Sequence, residues 1–371
     1  MDKQLHVAIL GSRGYPYVYS GYETLVRHLA EGLVQNGVTV TVYCHKNLFE
    51  ERPKEVNGVN LVYQPTIEKK SLSQLTHTAL SMWHACRSEA NVIFVVNSAN
   101  GPFGLLARLF GKPTAINVDG LEWLRPKWKG LGALYFKWSS KIATRLYDQI
   151  ITDAEEMRKV YLELFKKDST VIAYGAEIKD SSKPELIEQW DLEREAYYLI
   201  VGRLIPDNNA DLIVDGFVAS KSKRKLVVVG DVPYKDDYAD RIKATQDERL
   251  VFTGYVKDQE ALAELYHNAY GYFHGHEYGG TNPTMIKAMA YGSAILALDT
   301  VFNREMLQNG EFGKFFKKDI GSVTSLIDLM DAKMEEMAKM KKASVYGVSA
   351  KYSWPHIVEQ YQQVFKGLLK P

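Results

Sequence analysis

Short runs rich in Val, Ile and Tyr recur along the whole chain, and a longer stretch with helical spacing separates each from the next. They fall near Val7–Leu10, Val38–Cys44, Asn60–Tyr63, Val92–Asn97, Thr114–Val118, Gln149–Thr152 and Thr170–Ala173. The second half adds Tyr197–Val201, Lys225–Val229, Leu250–Thr253, Gly271–His274 and Ala294–Leu298. A strand that is apolar on both faces must be covered on both, and helices between strands favour parallel pairing. The pattern predicts an α/β fold of doubly wound sheets. At 371 residues the chain is long for one domain and comfortable for two. The polar, acid-rich stretch Lys179–Glu195, with Ser181, Ser182 and Pro184, reads as the link between them. Ligand crevices are then expected at the carboxyl ends of the strands.

Composition narrows the function classes. Hydrophobic residues make up 46% of the chain, enough for full cores and too many for a disordered protein. A formal net charge of +1 argues against a nucleic-acid partner, since a polyanion binder is usually more basic. The two cysteines, Cys44 and Cys86, lie in a strand and a helix pattern and read as reduced core thiols of a cytoplasmic protein. The amino terminus passes at once into the strand Leu5–Leu10, which leaves no room for a signal peptide. No apolar run approaches the ~20 residues of a membrane span.

The segment Gly279-Gly280-Thr281-Asn282-Pro283 carries the strongest local chemistry. A glycine-rich turn runs into a helix with Asn282 as N-cap and Pro283 as first helical residue. Such a helix start presents unpaired amides and a partial positive charge, suited to a phosphate or diphosphate. The ordinary alternative is a βα turn with no ligand. In the same half, Arg203 follows a strand within Gly202-Arg203-Leu204-Ile205-Pro206-Asp207-Asn208-Asn209. A guanidinium there can hold a diphosphate in bidentate fashion, while Asp207 and the two Asn can cap the next helix.

The first βα turn, Gly11-Ser12-Arg13-Gly14-Tyr15-Pro16, leads to Ser20 and Glu23, which fit a capping box around Gly21. It lacks the G-x-G-x-x-G of a dinucleotide fold, and Tyr43-Cys44-His45 stands where an acid should end the second strand, so NAD is disfavoured. Asp119 and Glu122 follow the strand Thr114–Val118, placed either to act on sugar hydroxyls or merely to cap a turn. In His274-Gly275-His276-Glu277 the two His are spaced on a loop with no clear third ligand, so no metal is expected. From Trp123 to Tyr147 basic residues (Arg125, Lys127, Lys129, Lys137, Lys141, Arg145) interleave with aromatics without one acid. That suits an anionic bilayer surface or a lipid diphosphate, or equally a solvated helix over a core stripe. Beyond Tyr352-Ser353-Trp354-Pro355, the residues Ile357, Tyr361, Phe365 and Leu368 give a final amphipathic helix.

Taken in order, GSRGYP, YSGYET, VDGLEW, VGRLIPDNN, HGHEYGGTNPTMIKAMAYG and YSWPHI resemble the retaining GT-B glycosyltransferases of family 4, most closely the rhamnosyltransferase-like branch that builds bacterial surface polysaccharide. The resemblance spans essentially the whole chain. It implies two Rossmann-like domains facing a cleft: 1–178, completed by a C-terminal helix 353–371 that crosses back, and 195–350. It implies hexose transfer from a nucleoside diphosphate sugar, first of all dTDP-rhamnose, to a glycan or lipid-linked acceptor at the inner face of the cell membrane. Configuration would be retained and no cofactor used. A UDP-sugar donor is the second choice, and a non-catalytic nucleotide-sugar-binding subunit the third. By position, Asp119, Arg203 and Asp207 would be catalytic. Gly14, Gly21, Arg203, Asn208, Glu277, Gly280, Thr281, Asn282 and Lys287 would hold the donor, with Arg13 and Glu122 on the acceptor side. Two departures stand out: the wider family's lysine after the arginine is replaced by Asn208 or Asn209, and the glutamate expected to hold the ribose is Lys287, which cannot accept a hydroxyl hydrogen bond.

Overall fold

A computed structural model describes the chain except residues 1–3, 17–20, 68, 70–71, 119, 125–129, 233–234 and 371. By contact the chain divides into two compact units, Met1–Gly175 with Trp354–Pro371, and Ala176–Ser353.

The first unit is built on strands β1 (His6–Leu10), β2 (Thr39–His45), β3 (Glu55–Val56), β4 (Val59–Gln64), β5 (Val92–Val96), β6 (Thr114–Asn117), β7 (Gln149–Thr152) and β8 (Thr170–Val171). They form an eight-stranded sheet in the order β3-β4-β2-β1-β5-β6-β7-β8. Every neighbouring pair runs parallel except the short β3–β4 hairpin. Its helices are α1 (Gly21–Gln35), α2 (Leu72–Arg87), α3 (Gly104–Leu109), α4 (Leu131–Leu146) and α5 (Glu155–Phe165). All five residues of β5 are buried, as a strand covered on both faces requires.

The second unit has strands β9 (Tyr197–Val201), β10 (Lys225–Val229), β11 (Leu250–Gly254), β12 (Gly271–His274), β13 (Ile295–Leu298) and β14 (Gly313–Phe316), all parallel, in the order β11-β10-β9-β12-β13-β14. Helices α6 (Ala210–Val218), α7 (Asp237–Lys243), α8 (Gln259–Asn268), α9 (Pro283–Ala290), α10 (Val301–Met306), α11 (Ile320–Asp331) and α12 (Met334–Lys351) accompany them. The chain starts at β9, winds outward to β11, then returns to the other side of β9 with β12. The carboxyl ends of β9 and β12 therefore flank the topological switch point, where open α/β sheets bind ligands.

The last helix, α13 (Trp354–Leu368), belongs to the first unit. Its Tyr361 hydroxyl accepts from Asn117 Nδ2 at 3.0 Å, and its Tyr361 and Phe365 rings pack on Phe94 of β5. Trp354 stacks on His28 of α1 with centroids 4.4 Å apart.

Two strands escape the sequence pattern: β3, only two residues long, and β14, whose burial is confined to its ends. The segment read as a linker is instead part of the second unit. Pro184–Trp190 forms a 3-10 turn with Ile187 buried. The Ser181 hydroxyl and the Ser182 and Lys183 amides donate to the Glu264 carboxylate of α8 at 2.6, 2.7 and 2.8 Å. A buried carboxylate keeps its charge only with such donors, and here they pull its pKa below the ordinary value against the cost of burial.

Candidate functional site

The β9–β12 switch point gathers most of the residues singled out in the second half. Two loops meet there, one after β9 carrying Arg203 to Asn209 and one after β12 carrying Gly275 to Asn282. They are stitched by specific bonds. Asn208 Nδ2 donates to the Arg203 carbonyl at 2.8 Å, and its Oδ1 accepts from His276 Nδ1 at 2.7 Å. Asn209 Nδ2 donates to the Gly275 carbonyl at 2.8 Å, and the Glu277 amide donates to the Asp207 carbonyl at 3.1 Å. Close approach makes this possible: a Cβ on Gly275 would lie 2.2 Å from the Asn208 carbonyl oxygen. Gly230, at φ +119°, meets the Gly202 carbonyl equally tightly at the neighbouring strand end.

This stitching uses up several expected ligand contacts. Both polar atoms of the Asn208 side chain are committed within the protein, so it positions the loop. Asn209 sits in the left-handed region at φ 49° and makes no side-chain cap to α6, contrary to the capping alternative. Asp207 is buried within its 3-10 turn. The Glu277 carboxylate is held by Lys318 Nζ at 2.6 Å. Among the described residues, Arg203 is different. Its side chain is exposed and its guanidinium has no carboxylate or hydrogen-bond partner. A cation left open at the mouth of a switch point is available to an anion.

The helix start after β12 forms as its sequence dictates. Asn282 has extended backbone angles, its Oδ1 accepts from the Thr284 amide at 2.9 Å, and Pro283 occupies the first helical position. Gly279 takes φ +118°, a conformation that favours glycine. Thr281 is buried, and so is Gly280. One turn further on, the Lys287 ammonium lies 3.4 Å from Gln259 Oε1 and 5.6 Å from the Tyr291 ring centre. Burial first, and the nearby Lys179 second, pull its pKa below the ordinary lysine value. His274, at the end of β12, is buried and held neutral by burial and then by His276.

The first unit's turn is built differently. Gly14, at φ +128°, lies so close to β2 that a Cβ there would fall 2.8 Å from both Cβ and Sγ of Cys44. The Arg13 amide donates to Glu23 Oε1 at 2.9 Å, and the Arg13 carbonyl accepts from the His45 amide at 3.0 Å. Glu23 thus ties the turn down instead of serving only the helix start; Ser20, its expected capping partner, lies outside the described residues. Gly21 opens α1, and Glu122 opens the 3-10 turn Glu122–Leu124. Asp119, expected to be catalytic, lies outside the described residues, as does 125–129 of the basic-aromatic stretch. Among the described residues no group of three or more His, Cys, Asp or Glu side chains converges as a metal site would need.

The residues that sequence reasoning missed are the stitching ones: His276 as donor to Asn208, Asn209 as clamp on Gly275, and Lys318 as partner of Glu277. Their only signal is that polar residues cluster at two strand ends that the topology makes neighbours.

Residues 4–177 match a domain of unknown function, DUF1972, and residues 182–347 match glycosyl transferases group 1. No curated protein sequence matches the chain. Among solved structures, the sucrose-phosphate synthase of Thermosynechococcus elongatus is similar at TM-score 0.84 and 18% identity, covering 98% of this chain and 99% of that one. A glycosyltransferase of Rickettsia africae ESF-5 gives 0.79 and 15% over 100% of both chains. HepE of Anabaena, solved in complex with UDP-glucose, gives 0.76 and 14% over 98% of this chain and 100% of that one. The chain therefore has the α/β fold of GT-B enzymes, and its second half is similar to the group 1 glycosyltransferases over residues 182–347.

Proposed function

We propose that the chain transfers a hexose from a nucleoside diphosphate sugar to a glycan or lipid-linked acceptor, with retention of configuration and without a metal. The observation that carries this reading is that the open Arg203 guanidinium follows β9 and the Asn282-capped start of α9 follows β12, the two strands that flank the switch point. Departure of a nucleoside diphosphate puts growing negative charge on its phosphate. A guanidinium and a helix start fixed by stitched loops stabilise that charge without having to reorganise. The departing phosphate would then take the acceptor's proton as the hydroxyl attacks from the same face. Asp119 is assigned to the transferred sugar and acceptor, with Glu122 near it; Asp207 is assigned to the catalytic loop that carries Arg203, and Gly14, Gly21, Gly280 and Thr281 to close approach around the donor. HepE, similar in fold, is described in complex with UDP-glucose, which supports a nucleotide-sugar donor here. L-Rhamnose from dTDP-rhamnose is the donor proposed first, and a UDP-sugar second.

Lys287 favours a second reading, a subunit that binds a nucleotide sugar without transferring it, because an ammonium cannot accept from ribose hydroxyls. One experiment tests both. Purified protein is titrated by calorimetry with dTDP-rhamnose, UDP-glucose and UDP-GlcNAc, and products are followed by mass spectrometry in the presence of cell-envelope lipid extract. Binding with a new glycosylated lipid supports transfer. Binding without any product in that extract supports the second reading, and absence of binding to every donor sinks both.

A further inference from the structure

Three neighbouring helices of the first unit carry large apolar side chains on their outer faces. On α4 the buried residues include Ser139, Ser140, Ala143 and Thr144, while Leu131, Leu134 and Trp138 are 85%, 63% and 48% exposed. The small residues inside have a packing cause. The helix backbone approaches the 3-10 turn Ser98–Phe103 so closely that a Cβ on Gly101 would lie 2.2 Å from the Ser139 carbonyl oxygen, and the Ser139 hydroxyl donates to the Ser98 carbonyl at 2.6 Å. At that contact only a small side chain fits; Phe136 is buried elsewhere on the helix, while Leu131, Leu134 and Trp138 stand outward. The same division holds on α3, which buries Gly104 and Ala107 and exposes Leu105 and Leu109. On α2, Leu80 and Trp83 are likewise exposed, although His77 and Met82 are buried there beside Ser81, Ala85 and Cys86.

The outward residues are not scattered singly. Trp83 of α2 meets Phe110, just past α3, edge to face at 5.7 Å, and the Arg87 guanidinium lies over the Trp83 ring at 3.7 Å. Exposed apolar side chains gathered on the outer faces of adjoining helices are what an interaction surface requires. Its charge identifies the partner. The helices α2, α3 and α4 contain no Asp or Glu. Arg87, Arg108, Lys137, Lys141 and Arg145 are exposed and form no ion pair among the described residues. Leucine and tryptophan beside unpaired cations fit the acyl and headgroup layers of an anionic bilayer. None of the described helices is long and apolar enough to cross a membrane.

We infer that the outer face of α2, α3 and α4 docks on the surface of an anionic lipid bilayer. The inference rests on the proposed function only in that a lipid-linked acceptor would be met there; the surface itself is argued from the first unit alone. It is tested by flotation of the full chain with phosphatidylglycerol-containing vesicles against pure phosphatidylcholine vesicles, with donor titration run in parallel. The parent protein is expected to float only with the anionic vesicles. Lys141→Ala with Arg145→Ala should lower partitioning about fivefold for each charge lost. Leu134→Ser with Trp138→Ser should lower it further, with the melting temperature and donor affinity of both variants unchanged. Failure of the parent to float, or equal flotation of parent and variants, overturns the surface. So does a parent dimer in sedimentation equilibrium that Leu134→Ser with Trp138→Ser dissolves, because the face would then belong to a second copy. Lost donor binding with intact flotation would instead count against the proposed function.

Discussion

The two units each place a glycine-bearing turn at a sheet's switch point, yet they use it in opposite ways. In the first, Gly14 abuts Cys44, the Arg13 amide is taken by Glu23, and the Arg13 carbonyl by His45. In the second, the backbone is stitched just as firmly, but a guanidinium is left over and a helix start follows the neighbouring strand. Glycine at a strand end therefore does not identify a ligand site; unspent bonding capacity does. A phosphate needs donors that the fold has not already consumed.

Arg203→Ala is the sharpest way to break this contrast. Removing a charged bidentate contact should weaken donor binding about 100-fold, on the order of 2.7 kcal/mol, with little change in stability because the side chain is exposed. Calorimetric titration against the donor that the parent binds best reads it directly. An unchanged dissociation constant would mean that the open cation is ordinary surface.

Gly14→Ala probes the other half. Its φ of +128° and the approach to Cys44 leave no room for a methyl group, so the first unit should lose about 2 kcal/mol. Urea denaturation followed by tryptophan fluorescence measures the loss. A variant as stable as the parent but weaker toward donor would mean that Gly14 serves the proposed approach to the donor and not the packing on Cys44, and would erase the difference between the two turns.

Much of the fold was legible because its strands are buried on both faces and so announce themselves as apolar runs. β9, β10 and β12 begin and end where their side chains change character. β14 did not announce itself, since its Gly-Lys-Phe-Phe sequence is half covered and carries no such run. The Asn282 cap was equally readable, because a cap bonds an amide two residues away. What could not be read is any role set by a distant partner. Asn209 reaches Gly275, Glu277 is claimed by Lys318, and Glu264 gathers Ser181 to Lys183, each across tens of residues. The outward leucines of α4 belong to the same class. Their outward stance accompanies the close approach of the helix at Gly101, which no property of the helix sequence records.

A change in slope, not in stability at neutral pH, shows whether the first unit's turn is as dry as its contacts imply. His77 of α2 is buried and stacked at 3.9 Å on His45, the residue whose amide holds Arg13. Burial, and then His45, pull its pKa down to about 3. An unfolded imidazole titrates near ~6.5. Between those values the unfolded chain carries a proton that the native one refuses, so stability falls as pH drops through that window. The contribution is at most about 1.4 kcal/mol per pH unit. His77→Leu removes that proton difference, and the variant should lose stability less steeply than the parent between pH 6.5 and pH 4.5 on the ~1.4 kcal/mol per pH unit scale of one proton. Parallel curves would mean that His77 protonates in the folded state, which requires water beneath the turn. The first unit's crevice would then be as open as the second's.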